Sequence, residues 1–315
     1  MKISVVLATY NGEKYIKKQL DSIIKQTMTP DEIIIIDDCS TDTTVDIIDQ
    51  YIKNSRLSIT FVRHTRNKGY KKTFLEAIYF SNGDYVFLAD QDDVWKKNKI
   101  ETMVGVMEEN ADIKVLNTGY KLIDADGKSI TQNKRALRKS KFKRLEKYDI
   151  KQVINYNLSM GCTICFKSDV REILKQYDIS NRGLYVPHDW IVNLIGSSID
   201  GLYYLNEPLI YYRIHDKNTI GFNRANNLND RIKDYKNMVK QKRDMMSLIK
   251  DICEDNVEDV TRHLKIMLES YEIRIECLMG KRIFRYLFKY FTKSMYKLIS
   301  VKTMLYDFYL MLRKK

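Results

Sequence analysis

The chain has 315 residues, 44% of them hydrophobic and 30% charged, with only three prolines and twelve glycines. That balance excludes an intrinsically disordered chain and leaves room for one large domain or a domain with an appendage. The formal net charge of +13 suits nucleic acid, an anionic membrane surface or anionic small molecules, and composition does not choose among them.

The first ~110 residues alternate strand and helix signals, the pattern of a parallel sheet with helical crossovers. A β-branched run over 3–8 reads as a buried strand. Tyr15, Ile16, Leu20, Ile23 and Ile24 then share one helical face. A second strand is predicted over 32–36, followed by a helix with Thr44, Ile47, Ile48 and Tyr51 on one side. A third strand over 57–63, a helix over 71–80 and a fourth strand over 85–89 complete the series. The loops 9–13, 37–42 and 90–93 each follow a strand, and ligands of open α/β sheets bind outside the carboxyl ends of the strands. These loops are therefore expected on one rim.

Past residue 110 a strand is predicted over 115–123, with an Asp126-Gly127 turn behind it. The basic segment 134–147 reads as a mobile loop or short helix. Further strands are expected over 161–166 and 202–205, flanking a helix near 190–197. From about residue 223 the chain reads as helical, with a boundary near Gly221. Within the tail, 281–315 carries ten Lys or Arg against one acid, Asp307. Phe284, Leu287, Phe291, Met295 and Leu298 recur at helical spacing there, as do Arg285, Lys289, Lys293 and Lys297. Such stripes suit a helix in an anionic membrane interface, or one packed on the chain's own core or a second subunit. No DNA-reading motif accompanies the charge, so nucleic acid is not an expected partner.

Cys39, Cys162, Cys165, Cys253 and Cys277 are odd in number and irregularly spaced, which speaks for a reducing compartment and against a disulfide framework. Cys162-x-x-Cys165 has no second metal-ligand pair and lies in an apolar run, so small core thiols are expected. No signal-peptide anatomy precedes the first strand, and no apolar stretch approaches the ~20 residues that span a bilayer. A cytoplasmic location is expected.

The chemistry-bearing residues lie mainly on the predicted rim. Asp90-Gln91-Asp92-Asp93 is either a solvated acidic turn or a site for a hard divalent cation, and its place at a strand end favours the cation. Of Asp37 and Asp38, one can cap the following helix while the other accepts hydrogen bonds from a base or ribose. Asp189, in Val186-Pro187-His188-Asp189-Trp190, reads equally as a helix cap or a general base. His215, after Tyr211-Tyr212-Arg213-Ile214, is structural or lies near a metal or pyrophosphate. Neither G-x-G-x-x-G nor G-x-x-x-x-G-K-[ST] occurs, which disfavours Rossmann dinucleotide and P-loop sites.

Taken in order, these segments resemble a family 2 glycosyltransferase of the GT-A fold, in the rhamnosyltransferase-like subgroup. The matching pieces are Ser4-Val5-Val6-Leu7-Ala8-Thr9-Tyr10-Asn11-Gly12, Ile36-Asp37-Asp38-Cys39-Ser40-Thr41-Asp42, Asn67-Lys68-Gly69 and Leu88-Ala89-Asp90-Gln91-Asp92-Asp93-Val94-Trp95. They continue with Gly161-Cys162-Thr163, His188-Asp189-Trp190, and Asn206-Glu207-Pro208-Leu209 on to Tyr212-Arg213-Ile214-His215. The resemblance implies a catalytic domain over 1–222 and a helical basic extension over 223–315. It also implies contacts to a nucleotide-sugar by Thr9, Tyr10, Asp37, Asp38, Asn67, Gly69, Asp90, Asp93 and His215. Mg²⁺ or Mn²⁺ would be held by Asp92 with Asp90 and His215, and Asp189 would be the base of an inverting transfer. The implied donor is UDP- or dTDP-linked, and the acceptor is a glycan or lipid-linked saccharide. Cys39 departs from the family, where Gly is common. Two rivals remain, a sugar nucleotidyltransferase and an inactive scaffold of the same fold. The first would want a Gly-rich, Lys/Arg-bearing loop where 9–13 stands, and the second has no need of Asp189.

Overall fold

In the computed structural model, which describes residues 1–130, 144–216, 218, 227–253, 257–280, 282–292 and 300–312, the chain divides into two compact units. One comprises Met1–Gly183 with Pro187–Asn218, the other Leu184–Val186 with Thr219–Lys315. The boundary expected near Gly221 and most of the basic segment 134–147 lie outside the described residues.

The first unit is built on a mixed sheet. Its strands are β1 (Ile3–Thr9), β2 (Glu32–Asp37), β3 (Ser58–Arg63), β4 (Tyr85–Asp90), β5 (Val94–Trp95), β6 (Val115–Ile123), β7 (Leu145–Lys147), β8 (Ile164–Lys167) and β9 (Leu202–Arg213). They run in the order β3-β2-β1-β4-β8-β6-β9-β5, with β7 paired to β9. The left half, β3 to β4, is parallel, and β8 is antiparallel to both β4 and β6. The helices of this unit are α1 (Ile16–Ile24), α2 (Thr44–Asn54), α3 (Tyr70–Phe80), α4 (Lys99–Glu109), α5 (Ile150–Asn155), α6 (Ser168–Gln176) and α7 (His188–Ser198).

The strand compositions follow from this layering. All of β2 and nearly all of β1 and β4 are buried, which is why they read as continuous Ile/Val runs rather than alternating ones. At the edge of the sheet β3 is never fully buried and carries Ser, Thr and Arg between its apolar residues. Register places Thr9 beside Asp37 and Ala8 beside Asp90, so three chemistry-bearing loops start from adjacent strand tips.

Several elements differ from the sequence reading. Gly161–Thr163 form a single 3₁₀ turn, and the strand begins only at Ile164. The strand expected to stop at 205 runs on to Arg213, because beyond a bulge at Thr118 to Tyr120 it keeps pairing with β6. Helix α4 follows the acid loop where the sequence reading expects no element. Ile100, Met103, Val104 and Met107 are its buried face, and their three-and-four spacing follows directly on the acid loop.

The second unit contains α8 (Leu228–Ile252), α9 (Val257–Met279), α10 (Ile283–Thr292) and α11 (Val301–Leu312). Of the apolar stripe expected from Phe284 to Leu298, the structure describes the burial of Phe284 and Leu287 alone. Tyr286 is fully buried, Leu287 packs partly buried against the same cluster and Phe284 is 88% exposed, while 293–299 lie outside the described residues. No described helix is long and apolar enough to cross a membrane.

One buried carboxylate ties these four helices together. Asp307 of α11, with no exposed surface, accepts from Arg231 Nε at 2.9 Å and Tyr235 OH at 2.8 Å on α8. It also accepts from Arg274 Nη2 at 2.8 Å on α9 and Tyr286 OH at 2.8 Å on α10. The Arg274 guanidinium sits 3.9 Å above the Tyr235 ring. Removing the acid would strand a buried arginine, a change that costs about 3–5 kcal/mol. Asp307→Ala is therefore expected to lose amide-exchange protection across α8 to α11 while the sheet keeps its own. Unchanged protection in those helices would contradict the clasp.

Candidate active site

The strand-tip loops are knitted by side chains. Asp38 N–H donates to Thr9 O at 2.8 Å, and Thr9 Oγ1 donates to Asp37 Oδ2 at 2.9 Å. Asp37 is fully buried and also accepts from Ser40 N at 2.8 Å and from the Ser40 hydroxyl. It braces the loop and has no surface to offer a ligand. Asn11 joins the same loop, its N–H reaching Ser40 Oγ at 2.9 Å and its Oδ1 accepting from Thr41 N at 2.8 Å.

A second clasp fastens the acid loop. Gln91 Oε1 accepts from Tyr10 N at 2.9 Å, and its Nε2 donates to Tyr10 O at 3.0 Å. Gly12 makes room for it, since a Cβ there would meet Gln91 Oε1 at 2.2 Å. Tyr10 itself is about half exposed.

Asp38 spends its oxygens on the loop after β3. It accepts from His64 Nδ1 at 2.8 Å, Lys68 N at 2.7 Å and Gly69 N at 2.8 Å, while Asn67 Nδ2 reaches Asp38 O at 3.2 Å. His64 Nε2 lies 2.7 Å from Glu76 Oε2. Asp38, Asn67 and Gly69, separate in sequence, thus form one small structure, with Gly69 at φ +85° where a side chain is disfavoured.

On the other side of β1 the acids crowd. Burial pushes the Asp90 carboxyl up, and the charges of Asp92 and Asp189 push it further. Burial, then Asp92 and Asp90, raise Asp93 well above its ordinary value. Asp93 Oδ1 accepts from Arg213 N at 3.0 Å, and its other oxygen is buried without a partner. His215 Nε2 lies 2.8 Å from Asp92 Oδ2.

Arg213, almost wholly buried, holds this loop from 121 residues away. Its Nε donates to Asp92 O at 2.7 Å, its Nη1 to Asp124 O and Ala125 O at 3.1 and 3.2 Å, and its guanidinium lies 4.7 Å from the Tyr15 ring centre. Lys99 lies behind the acids, donating to Cys162 O at 2.7 Å and stacked 3.6 Å from the Trp95 ring centre. Burial lowers it to about 7 against the opposing pull of Cys162, Cys165, Asp93 and Asp90.

Could a cation fit here? Ligand atoms of Asp90, Asp93 and Cys162 lie within 4.8 Å of one another. Burial and the neighbouring Asp93 and Asp90 keep the Cys162 thiol protonated, so the useful donors are carboxylate oxygens, the set a hard divalent ion prefers. The orphaned Asp93 oxygen and the mutual repulsion of the acids are both relieved by such an ion. The residues fit. Cys162 and Cys165 are both buried, and none of the five cysteines forms a disulfide.

Asp189 faces this cluster from the first turn of α7. Burial raises it to about 6, opposed by hydrogen bonds from Asn157, Trp190 N and Gly161 N. Tyr70, at the start of α3, feels both Asp189 and Asp90 and is pushed up to about 12, mostly by burial. His188 stacks on Phe74 at 4.0 Å and is lowered to about 3 by burial and then by Lys71, so it is neutral. The structure therefore brings Asp90, Asp92, Asp93, His215 and Asp189 together, with Thr9, Tyr10, Asp38, Asn67 and Gly69 along the same rim. Sequence reasoning missed Gln91 as a clasp, Arg213 as a brace, and His64, Lys99 and Asn157 altogether.

Comparison with known proteins gives a consistent family. The family described as "Glycosyl transferase family 2" matches residues 4–174. The dTDP-rhamnosyl transferase RfbG of Shigella flexneri is 30% identical over 230 residues, covering 69% of this chain and 74% of that one. Four curated relatives are spanned over 49% to 74% of their own length. Among solved structures, residues 1–349 of S. aureus TarS in complex with UDP-GlcNAc superpose with a TM-score of 0.59 at 19% identity, covering 91% of this chain and 89% of that one. The mannosyltransferase PcManGT of Pyrobaculum calidifontis, in complex with GDP-Man and Mn²⁺, gives 0.54 at 15% identity, covering 98% and 85%. At these identities the structures speak for the GT-A fold alone.

Cys39, between Asp38 and Ser40, adopts φ +71°, a conformation that costs a non-glycine residue about 1–3 kcal/mol. Part of that is returned when glycine loosens the unfolded chain. Cys39→Gly is expected to raise stability by about 0.5–1 kcal/mol, read as a higher denaturation midpoint. A lower midpoint would mean that the thiol makes contacts worth more than the strain.

Proposed function

The chain belongs to glycosyl transferase family 2, and on that premise we propose that it transfers a sugar, with inversion, from a UDP- or dTDP-linked donor to a glycan or lipid-linked saccharide. What supports the reading is that Asp90 and Asp93 crowd within 4.8 Å of one another and that Asp90 also feels the charge of Asp189. The names of the dTDP-rhamnosyl transferase RfbG and of the putative teichuronic acid biosynthesis glycosyltransferase TuaG agree with such a transfer, in surface polysaccharide synthesis on this reading.

In this reading the nucleotide lies along the rim formed by Thr9, Tyr10, Asp38, Asn67 and Gly69. Asp92, with Asp90 and His215, would hold Mg²⁺ or Mn²⁺, which when bound supplies positive charge to the diphosphate. Asp189 takes the proton of the acceptor hydroxyl as that oxygen bonds to the anomeric carbon. The bond from that carbon to the diphosphate oxygen breaks, and its electron pair leaves with the diphosphate. Attack from the Asp189 side, opposite the leaving group, inverts the anomeric centre. A carboxylate that titrates near 6 is ionised at neutral pH yet basic enough to accept that proton. His215 orients Asp92 through the contact between them.

The test is a panel of UDP-, dTDP- and GDP-sugars, each with and without Mg²⁺ or Mn²⁺, read by thermal shift and by product formation. UDP- or dTDP-sugars should stabilise the protein in a metal-dependent way that Asp92→Ala abolishes. Asp189→Asn should keep donor binding and lose transfer by about 10²–10⁴-fold. A base must be ionised to act, so the wild-type rate should rise with pH through about 6 and then level, following the raised value of Asp189. Preference for GDP-sugars would overturn the donor class, and full activity in Asp189→Asn would overturn the base.

The helical unit, in the same reading, rests on an anionic membrane. The segment 281–315 carries ten basic residues and one acid, Asp307, which is buried; of the described bases, Arg285 and Lys289 share the single Glu276 of α9. Val301, Leu305, Tyr309 and Leu312 are each more than half exposed on α11, at spacings of four, four and three that make one face. Phe284 and Phe288 are exposed a turn apart on α10. Apolar residues within a segment of such net positive charge match an anionic bilayer interface. The protein should co-sediment with phosphatidylglycerol vesicles and not with phosphatidylcholine, and Leu305→Glu with Val301→Glu should release it. Equal binding to both lipids, or a lipid-independent dimer lost in that variant, would overturn the membrane in favour of a second copy.

A further inference from the structure

Behind Asp189 lies a polar chain with one direction. The Ser159 hydroxyl donates to Asn117 Oδ1, and Asn117 Nδ2 donates to Asn193 Oδ1 at 2.9 Å. Asn193 Nδ2 points to Asn157 Oδ1 and to Ser159 Oγ, each at 3.4 Å. Asn157 Nδ2 ends the chain on Asp189 Oδ2 at 2.8 Å. Asn117 is on β6, Asn193 on α7, and Asn157 and Ser159 precede the Gly161 turn. Asn117 and Asn193 are essentially without exposed surface, and burying such amides is costly unless each is bonded.

A lone asparagine could turn its oxygen or its nitrogen toward a carboxylate, and the oxygen would repel it. Here the Asn157 oxygen is claimed by Asn193, whose own oxygen is claimed by Asn117, so only the Asn157 N–H₂ can face Asp189. Successive donors also polarise one another toward the carboxylate end. We infer that Asn157 is a positioning residue for Asp189 and that Asn193, Asn117 and Ser159 fix the direction in which Asn157 points. The inference deepens the reading of Asp189 as the base and rests on it for its place in the reaction.

The rest of the surroundings do not supply this function. Trp190 N–H holds the other oxygen, Oδ1, at 2.8 Å. Gly161 packs its bare Cα where a Cβ would stand 3.0 Å from His188 Nε2. The titratable neighbours are Asp90 from β4 and Tyr70 from α3, His188 on α7 itself with Lys71 acting on it, and Cys162 just beyond Gly161. Asp90 disfavours the Asp189 charge, His188 is neutral, and Tyr70 and Cys162 are protonated. From α5, Val153 O accepts from Trp190 Nε1 at 2.7 Å and anchors the helix turn without touching the carboxylate. Asn157 is thus the side-chain donor on the acid, and its loss should make ionisation harder.

The test needs no substrate. With the full chain carrying ¹³C at aspartate carboxyl carbons, the Asp189 signal is assigned by its loss in Asp189→Asn and titrated. Asn157→Ala should move the Asp189 midpoint upward by about one pH unit, as a lost charge-assisted hydrogen bond implies. Asn193→Ala should move it the same way by less. Asn157→Asp, which keeps the shape and adds a charge, should move it further than alanine and remains informative if Asn157→Ala does not fold. An unmoved midpoint in Asn157→Ala, or in Asn157→Asp, would overturn the inference. Full transfer by Asp189→Asn would instead remove the base while leaving the titration result standing, so the two failures are distinguishable.

Discussion

The Asp90 carboxyl at the end of β4 feels the charges of Asp92 and of Asp189 at the start of α7, and the rest of the first unit is arranged to hold these acids there. Like charges a few ångströms apart, partly withdrawn from water, raise one another's cost of ionisation. Left alone, such a cluster would protonate or spread. The chain keeps it closed with neutral and cationic groups that do not neutralise it outright. The Arg213 guanidinium grips the Asp92 carbonyl of the acid loop and the Asp124 and Ala125 carbonyls after β6 rather than the carboxylates, and Lys99 is directed to a carbonyl behind it. What is left is a site short of positive charge, beside an Asp189 that burial raises and that hydrogen bonds from Asn157 and Trp190 N only partly lower again.

The sheet makes that closeness possible. Three parallel tips in register place Asp37, Thr9 and Asp90 across neighbouring strands, and β9 returns over 12 residues to bring Arg213 against the acid loop at its end. The loops are stiffened where they would otherwise wander. Gln91 sews the acid loop to the Tyr10 backbone, and Asp38 gathers His64, Lys68 and Gly69. Both devices fix the backbone before any ligand arrives, so that less ordering remains to be done on binding.

How far the sequence was legible follows from the range of each interaction. An apolar run ending in acids marks a strand tip locally, so the rim of loops after β1, β2 and β4 could be read from residues a few positions apart. The β9 strand was read too short because its continuation depends on β6 accepting a bulge, which no local pattern encodes. Asn157 was invisible because its meaning comes from Asp189, 32 residues on, and from Asn117, two contacts away. Arg213 stood inside a motif already quoted, but its spacing of 121 residues from Asp92 gave no hint of a brace. In the tail, helical periodicity is legible locally, but not that Tyr286 is drawn inward to Asp307 while Phe284 lies outside.

The most direct test of two acid groups sharing one site is to locate a bound ion. Crystals grown with UDP and Mn²⁺ and measured at the manganese edge should show an anomalous peak within coordination distance of Asp92, beside Asp90, with the Asp189 carboxyl across the cleft from it. A peak bound elsewhere on the protein, or UDP seated away from the loops that follow β1 and β2, would contradict that arrangement.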